Sequence, residues 1–299
     1  MSQPDPALGA WLRPPDFGAA DPARRLALGL LAATCLVLLL AGVAVQGSAW
    51  DRGWMLALAA GQAPWPVQMV WSCLTVAGFG WSCFILLLAA DRREGALVAL
   101  IGPVMVLTGG VSYGLKQWLA TLRPAGSDIG ASLAVIGERI QGLGSTPSGH
   151  SLAAAVTSAL LVFWFASSPR LRLACWGIGL AGAGVAASRV MVGAHWPSDV
   201  LIGVATGLGI VLGVLGLASV GPVAGLLARL AAASVTARGQ RWVAGLELLS
   251  VTGLLLTPTG YPLGWPMELA LTVLGLVSAW RRWRRARASR MAADGDLAR

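Results

Sequence analysis

Charged and reactive side chains are scarce in this chain. Only 12% of its 299 residues are charged, and it has four cysteines and two histidines. The histidines are His150 and His195, and the single lysine is Lys116. This is not the composition of an ordinary soluble domain, in which about a quarter of the residues are charged. All three rare residues lie inside short polar motifs, and this coincidence predicts a functional site.

Apolar residues dominate the rest of the sequence. They make up 56% of the chain, and the mean hydropathy is +0.71. We therefore predict an all-α fold, a polytopic bundle of membrane helices, because a helix of about 20 apolar residues crosses the hydrocarbon core. We place about eight spans by this measure. They lie at 26–48, 66–90, 95–118, 149–168, 173–193, 197–218, 242–257 and 266–280.

The apolar runs and the segments between them divide the chain into parts. We expect a flexible N-terminal segment (1–23), a membrane core (24–218), an interfacial helix or linker (219–241), a transmembrane helix pair (242–280) and a basic cytoplasmic tail (281–299). The first apolar run is too long for the apolar part of a cleavable signal peptide, so we expect it to stay in the mature protein.

Arginines lie at every second boundary between an apolar run and a loop. Basic residues beside spans are retained in the cytoplasm, so this pattern predicts one topology with both termini cytoplasmic. The outer loops are then 49–65, 119–148, 194–196 and 258–265. The same arginines account for the formal net charge of +9 and favour contact with membrane headgroups over nucleic-acid binding.

The first polar motif, Lys116-x6-Arg123-Pro124, follows the third apolar run. A spacing of seven residues returns both cations to one face if the helix continues toward Pro124. A lysine that snorkels and a stray arginine would be the alternative explanation. Two cations at an outer face oppose the positive-inside pattern, however, so we interpret them as anion-binding residues.

The second motif, Pro147-Ser148-Gly149-His150, directly precedes the fourth apolar run. Ser148 is a candidate N-cap, and the free amides of Gly149 and its neighbours at a helix start would face an anion. Pro-Ser-Gly alone is common in turns. An imidazole one residue inside a membrane helix costs free energy unless it has a bonding partner or a functional role. The position of His150 therefore indicates a function.

The third motif is Ser188-Arg189-x5-His195-x3-Asp199. Its histidine lies in a short turn, and its carboxylate follows in the first turn of the next helix. Asp199 could accept the Nδ1 proton of His195 and leave Nε2 free as a nucleophile. An acid in a first helical turn is otherwise ordinary. Together the motifs gather three cations, two imidazoles and one carboxylate, a set that suits a phosphate ester.

These three motifs, in this order and with these spacings, resemble the signature of the type 2 phosphatidic acid phosphatase superfamily. That superfamily includes bacterial membrane-embedded lipid phosphatases and is related to vanadium haloperoxidases. The resemblance covers a six-helix core, roughly residues 60–218, and every signature position is present. The helix pair at 242–280 is not part of that core, so its role is open.

The resemblance implies a role for each matching residue. His195 would attack the phosphorus and form a phosphohistidine, Asp199 would orient it, and His150 would act as general acid and then general base. The phosphate oxygens would be bound by Lys116, Arg123, Ser148, Gly149 and Arg189. No cofactor is needed by this scheme. A metal site built from His150, His195 and Asp199 is the alternative, which three nearby cations disfavour.

Under this resemblance the substrate is a membrane lipid phosphate at the outer face of a bacterial inner membrane. Undecaprenyl diphosphate, phosphatidylglycerophosphate, phosphatidate and lipid A 1-phosphate all fit. A lipid phosphotransferase would use the same site, and a transporter or scaffold that binds phospholipid headgroups is the non-enzymatic alternative. The glycine-rich loop 125–146 reads as a mobile segment in which residues 131–140 could form a short amphipathic lid.

Overall fold

Helices build the fold. The computed structural model describes residues 22–91, 95–165, 171–218 and 221–297, and these ranges contain eleven α-helices and no β-strand. The predicted all-α helix bundle is therefore confirmed. Residues 1–21 of the predicted flexible segment 1–23 lie outside the described residues. The structure also does not describe the side chains of several arginines on which the topology prediction depends.

The helices follow one another with short connections. The first part of the chain forms α1 (Pro22–Val45), α2 (Ala49–Leu58), α3 (Trp65–Ala77), α4 (Gly80–Ala90), α5 (Ala96–Leu119) and α6 (Gly149–Phe165). The second part forms α7 (Arg172–Met191), α8 (Pro197–Ala218), α9 (Gly221–Val235), α10 (Ala237–Leu256) and α11 (Trp265–Leu297).

Several of these helices are long and apolar enough to cross a membrane. Five described stretches pass on length and composition, at Leu28–Val45, Ala96–Leu119, Leu173–Met191, Pro197–Ala218 and Pro262–Ser289. Helices α3 and α4 together would make a sixth. The molecule is thus a helical membrane bundle, with fewer qualifying spans than the eight predicted. Helices α6 and α9 are apolar but shorter.

The predicted span 66–90 is broken in the middle. Helices α3 and α4 are bent by 68° relative to each other, at Gly78 and Phe79. A Cβ at Gly78 would lie 2.5 Å from a methyl carbon of Val185 on α7 and 3.3 Å from the Cβ of His150, so glycine permits the close approach of the break to α7 and to His150. The ring of Phe79 then meets the His150 imidazole edge to face, with centroids 4.9 Å apart. The break therefore supplies one wall of the polar site.

Small residues bring α6 and α8 together. Cβ atoms at Gly203 and Gly207 would approach the carbonyl oxygens of Ser148 and Leu152 within 2.7 and 2.6 Å, which only glycine avoids. Close backbone contact through small residues is a common way to pack membrane helices. As a result the Ser148 amide reaches the Asp199 carbonyl at 3.0 Å. The second and third motifs are joined directly by this bond.

The connection from α5 to α6 is mostly irregular. It has short 3-10 turns at Pro124–Gly126 and Gly130–Ser132, and residues 133–140 of the segment considered as an amphipathic lid form no helix. The backbone bonds with neighbouring elements: the Ile136 amide donates to the Val192 carbonyl at 3.1 Å, and the Glu138 amide to the Gly260 carbonyl at 2.8 Å. Gly137, with φ of 73°, permits the turn between them.

The C-terminal helices α10 and α11 form a hairpin that packs on α3 and α4. A buried ion pair joins its two arms, with the Arg282 Nε donating to Glu247 at 3.0 Å. Arg282 also donates to the carbonyl of Leu88 at 2.5 Å and to that of Asp91. Helix α11 continues through most of the predicted basic tail, and α9 lies within the predicted linker 219–241. The hairpin is thus fastened to the bundle at the end opposite its turn.

Candidate active site

The carboxylate of Asp199 is the most densely hydrogen-bonded group in the three motifs. It lies in the first turn of α8 and is fully buried. It accepts bonds from the Ser145 hydroxyl at 2.5 Å, from the Thr146 hydroxyl, and from the Trp196 amide at 2.9 Å. A buried carboxylate with several donors is held in one orientation. Its Oδ2 lies 3.4 Å from the Nδ1 of His195.

Ser145 and Thr146 were missed by the sequence reasoning. They directly precede Pro147 of the second motif, and this adjacency is the only feature of the sequence that indicates a role for them. Thr146 in turn accepts bonds from Gln46 at 2.8 Å and Thr121 at 2.7 Å, which connects the carboxylate to the end of α1 and to the chain after α5. The two residues before the second motif therefore support Asp199.

His195 lies in the turn between α7 and α8 and is almost fully buried. Its Nε2 is 3.3 Å from a guanidinium nitrogen of Arg123. Arginine can only donate, so a hydrogen bond here requires the Nε2 lone pair, and the ring proton then lies on Nδ1 beside Asp199. Burial lowers the pKa of His195 well below its usual range, and the charges of Arg189 and Arg123 lower it further. The imidazole is therefore neutral at pH 7.

Lys116 and Arg123 meet at the site although the helix between them ends. Helix α5 stops at Leu119, and Ala120 adopts a left-handed φ of 42°, so the expected continuation toward Pro124 does not occur. Lys116 donates to the Gly144 carbonyl at 3.1 Å, and Arg123 to the Ala194 carbonyl at 3.2 Å. Burial, followed by the charge of Arg189, lowers the pKa of Arg123. A guanidinium nevertheless keeps its charge in proteins.

Ser148 and Gly149 form the start of α6. The Ser148 oxygen accepts from the Ser151 amide at 3.4 Å and from the Ser151 hydroxyl at 2.9 Å, which is the geometry of an N-cap. Gly149 is the first residue of the helix, where backbone amides have no partner within the helix. This end of α6 therefore presents positive partial charge beside the three cations.

His150 lies one residue inside α6, against Phe79. Its Nε2 is buried and has no hydrogen-bond partner among the residues that the structure describes. Arg189, His195, Lys116 and Arg123 are all close enough to act on it electrostatically. A buried nitrogen that the protein leaves unbonded, beside a second histidine, is suited to exchanging a proton with a bound ligand.

Arg189 occupies the last turn of α7 and is 2% exposed. Its carbonyl accepts from the amides of Ala194 and His195 at 3.1 Å each, so its backbone fixes the turn that carries the histidine. Its Nη1 donates to the Tyr261 hydroxyl at 3.1 Å. Tyr261 lies in the turn before α11, where sequence reasoning identified only a turn, and no local pattern links it to the motifs.

All eight predicted site residues lie at the same end of the bundle, and electrostatic interactions link the three cations with both histidines and Asp199. Among the described residues no group of three or more histidine, cysteine, aspartate or glutamate side chains is arranged to hold a metal ion. Three cations outweigh the single carboxylate. The arrangement therefore suits an anion with several oxygens.

A helical membrane protein with a cluster of cations around a histidine–aspartate pair has the design of an enzyme that acts on phosphate esters. Residues 96–219 match the family model of the PAP2 superfamily, and that region contains every residue of the three motifs. The region belongs to this superfamily of phosphatases, as the motifs predicted. No curated protein and no solved structure matches the chain. Helices α1–α4 and the C-terminal hairpin lie outside the matched residues.

Proposed function

We propose that this protein is an integral-membrane phosphatase that hydrolyses a phosphomonoester or diphosphate of a membrane lipid through a phosphohistidine at His195. One observation carries the proposal: the buried imidazole has Asp199 3.4 Å from Nδ1 and Arg123 3.3 Å from Nε2. The carboxylate fixes the tautomer, and the arginine stands where a phosphate oxygen would have to be bound as Nε2 attacks.

The reaction proceeds in two displacements. In the first, the Nε2 lone pair forms a bond to phosphorus while the bond to the leaving oxygen breaks and His150 delivers a proton to that oxygen. In the second, His150 takes a proton from water, the water oxygen bonds to phosphorus and the nitrogen–phosphorus bond breaks. Inorganic phosphate leaves and both histidines return to their starting state.

Three cations stabilise the charge that accumulates on the phosphoryl oxygens. Lys116 and Arg123 donate to backbone carbonyls and Arg189 to a hydroxyl, all neutral acceptors. A phosphate would be a stronger acceptor for each of them. Preorganised donors of this kind contribute about 10²–10³-fold each to a displacement reaction. The free amides at the start of α6 add to the same field.

The substrate class follows from the position of the site. Lys116 lies in the last turn of the span α5, and Asp199 in the first turn of the span α8, so the phosphate is bound at a membrane interface. A lipid places its phosphate there and leaves its tail in the bilayer. Undecaprenyl diphosphate and a glycerophospholipid such as phosphatidylglycerophosphate or phosphatidate are the favoured substrates. The arginine pattern supports the periplasmic face of a bacterial inner membrane.

The alternatives use the same residues differently. A lipid phosphotransferase would pass the phosphoryl group from His195 to an acceptor lipid, and a lipid A 1-phosphatase would differ only in its substrate. A headgroup-binding transporter or scaffold has no need of the nucleophile and the unbonded His150. A metal site at the histidines is disfavoured because both oxygens of Asp199 already accept hydrogen bonds.

A phosphate-release assay with the purified full-length protein tests the proposal. The panel contains undecaprenyl diphosphate, phosphatidylglycerophosphate, phosphatidate and lipid A, each with and without a candidate acceptor lipid, and each with and without chelator. We expect release from at least one lipid, unchanged in chelator and inhibited by vanadate, which resembles five-coordinate phosphorus. Phosphate release that is lost in chelator and restored by a single divalent ion would favour the metal site. Transfer of the phosphoryl group to the acceptor lipid would identify a transferase.

A further inference from the structure

We propose that Tyr261, which lies outside the family region, is a positioning residue that holds the guanidinium of Arg189 in place for phosphate. The inference rests on the proposed function, in which Arg189 binds phosphoryl oxygens. It gives the C-terminal hairpin a role: its turn supplies a side chain that completes the site built by the three motifs.

Tyr261 contacts Arg189 in two ways. Its hydroxyl accepts from the Arg189 Nη1 at 3.1 Å, and the Arg189 Cζ lies 5.4 Å from the centre of its ring. Both side chains are 2% exposed, so solvent competes little with either contact. A guanidinium stacked on a ring and bonded at one nitrogen has little freedom to rotate.

One donor of Arg189, its Nε, is left for a ligand. Its Nε is buried and has no hydrogen-bond partner within the described part of the chain. An unpaired buried donor is costly, and an oxygen-rich anion bound beside it would remove that cost. By occupying Nη1 with a neutral hydroxyl, Tyr261 fixes the guanidinium plane without neutralising its charge.

The hairpin turn is itself firmly placed. The Gly260 carbonyl accepts from the Glu138 amide at 2.8 Å, and the Gly264 amide donates to the Tyr261 carbonyl at 2.8 Å. The Tyr261 ring belongs to a buried cluster that includes Val192 and Ala194, next to the turn that carries the nucleophile. The contact between Tyr261 and Arg189 therefore joins two rigid parts of the site.

The ring and the hydroxyl of Tyr261 can be tested separately. Replacement by phenylalanine keeps the ring that packs in the cluster and removes only the acceptor for Arg189. The chain has one other tyrosine, Tyr113, whose side chain is 68% exposed on α5. Tyr113→Phe makes the same chemical change on an exposed side chain and serves as the matched control.

The experiment measures the affinity of the full-length protein for inorganic phosphate, by ligand-dependent thermal stabilisation and by competition with substrate. Tyr261→Phe is expected to weaken phosphate binding about 10-fold, the usual effect of losing a hydrogen bond to a charged group. Tyr113→Phe should leave it unchanged. Phosphate affinity of Tyr261→Phe equal to that of the wild type would overturn the inference.

A double-mutant cycle separates positioning from general stability. Because Tyr261 acts through Arg189, Tyr261→Phe should have no further effect on phosphate affinity in an Arg189→Gln background, whereas additive losses would refute the assignment. Phosphate binding is measured without turnover. A wild type that binds phosphate but hydrolyses no phosphate ester would therefore overturn the proposed function alone, and the cycle would still decide the role of Tyr261.

Discussion

The Ser145 hydroxyl lies 2.5 Å from a carboxylate oxygen of Asp199, the same oxygen that faces the His195 imidazole at 3.4 Å. The carboxylate is thus held more closely by its hydroxyl partner than by the histidine it orients. This arrangement stabilises the negative charge before any proton moves, so Asp199 can steer His195 without taking its proton. The hydroxyl comes from the loop that leads into the second motif, and it couples the two motifs that carry the histidines.

Replacing the nucleophile is expected to abolish turnover. His195→Ala removes the atom that bonds to phosphorus, so phosphate release should fall to the background rate while membrane insertion and detergent extraction stay normal. His150→Ala should also be severely impaired, but with a diphosphate substrate it should accumulate phosphoenzyme, because a phosphate departs more easily than an alkoxide. Near-normal release by His195→Ala would eliminate the mechanism.

Removing the Ser145 hydroxyl is expected to weaken catalysis without ending it. Ser145→Ala takes one donor from buried Asp199 and costs about 1–3 kcal/mol, so kcat should fall about 5- to 150-fold. Ser132→Ala is the matched control, since this serine lies exposed in the same loop. Equal activity of the two variants would show that Ser145 is not needed to orient the carboxylate.

The acid–base state of His195 can be measured directly because the chain has two histidines. In protein purified without a histidine tag, His150→Gln leaves a single imidazole for nitrogen NMR. Burial lowers the pKa of His195, as do the charges of Arg189 and Arg123, so the ring should stay neutral below pH 6.5, where a free imidazole gains a proton. Adding Arg189→Gln should raise this pKa. A ring that titrates near 6.5 in both proteins would contradict the electrostatic account.

The same shift contributes to the pH dependence of stability. The unfolded chain binds a proton at His195 near pH 6.5, whereas the folded protein does so only at lower pH. The contribution of His195 to stability is therefore complete above pH 6.5 and is lost as the pH drops toward the folded-state pKa. His195→Gln removes this titrating group and should make the loss of thermal stability below about pH 6.5 less steep. An unchanged slope would assign the acid sensitivity to other groups.

The sequence was sufficient for the motifs because each is compact and its polar residues stand out in apolar surroundings. It could not identify partners that are distant in the chain. Tyr261 meets Arg189 across 72 positions, and Asp51 accepts the Ser198 amide across 147. Asp51 also accepts the Ser198 hydroxyl at 2.6 Å and so anchors the start of α8 from the short helix α2. Neither contact leaves a periodic or local trace in the sequence.

The helix count shows the same limit. Hydropathy alone joins α3 and α4 into one span, since the residues at Gly78 and Phe79 are as apolar as their neighbours. The close contacts at this bend, with Val185 and His150, come from distant parts of the chain, and no average over a sequence window contains them. The glycine-rich composition of the loop between α5 and α6 predicts a mobile segment. Its conformation is instead set by hydrogen bonds to Val192 and Gly260.

The orientation of the site in the membrane can be tested by thiol labelling. Ser132 is exposed in the loop between α5 and α6, and Ser289 is exposed on α11 within the basic segment. The positive-inside pattern predicts that Ser132→Cys reacts with an impermeant reagent in intact spheroplasts, whereas Ser289→Cys reacts only after lysis. The four native cysteines are free, so each variant is compared with the unmodified protein. The reverse pattern would place catalysis at the cytoplasmic face and remove the case for an outer-leaflet lipid. It would leave the phosphatase chemistry intact, because that depends on the geometry around His195 and not on orientation.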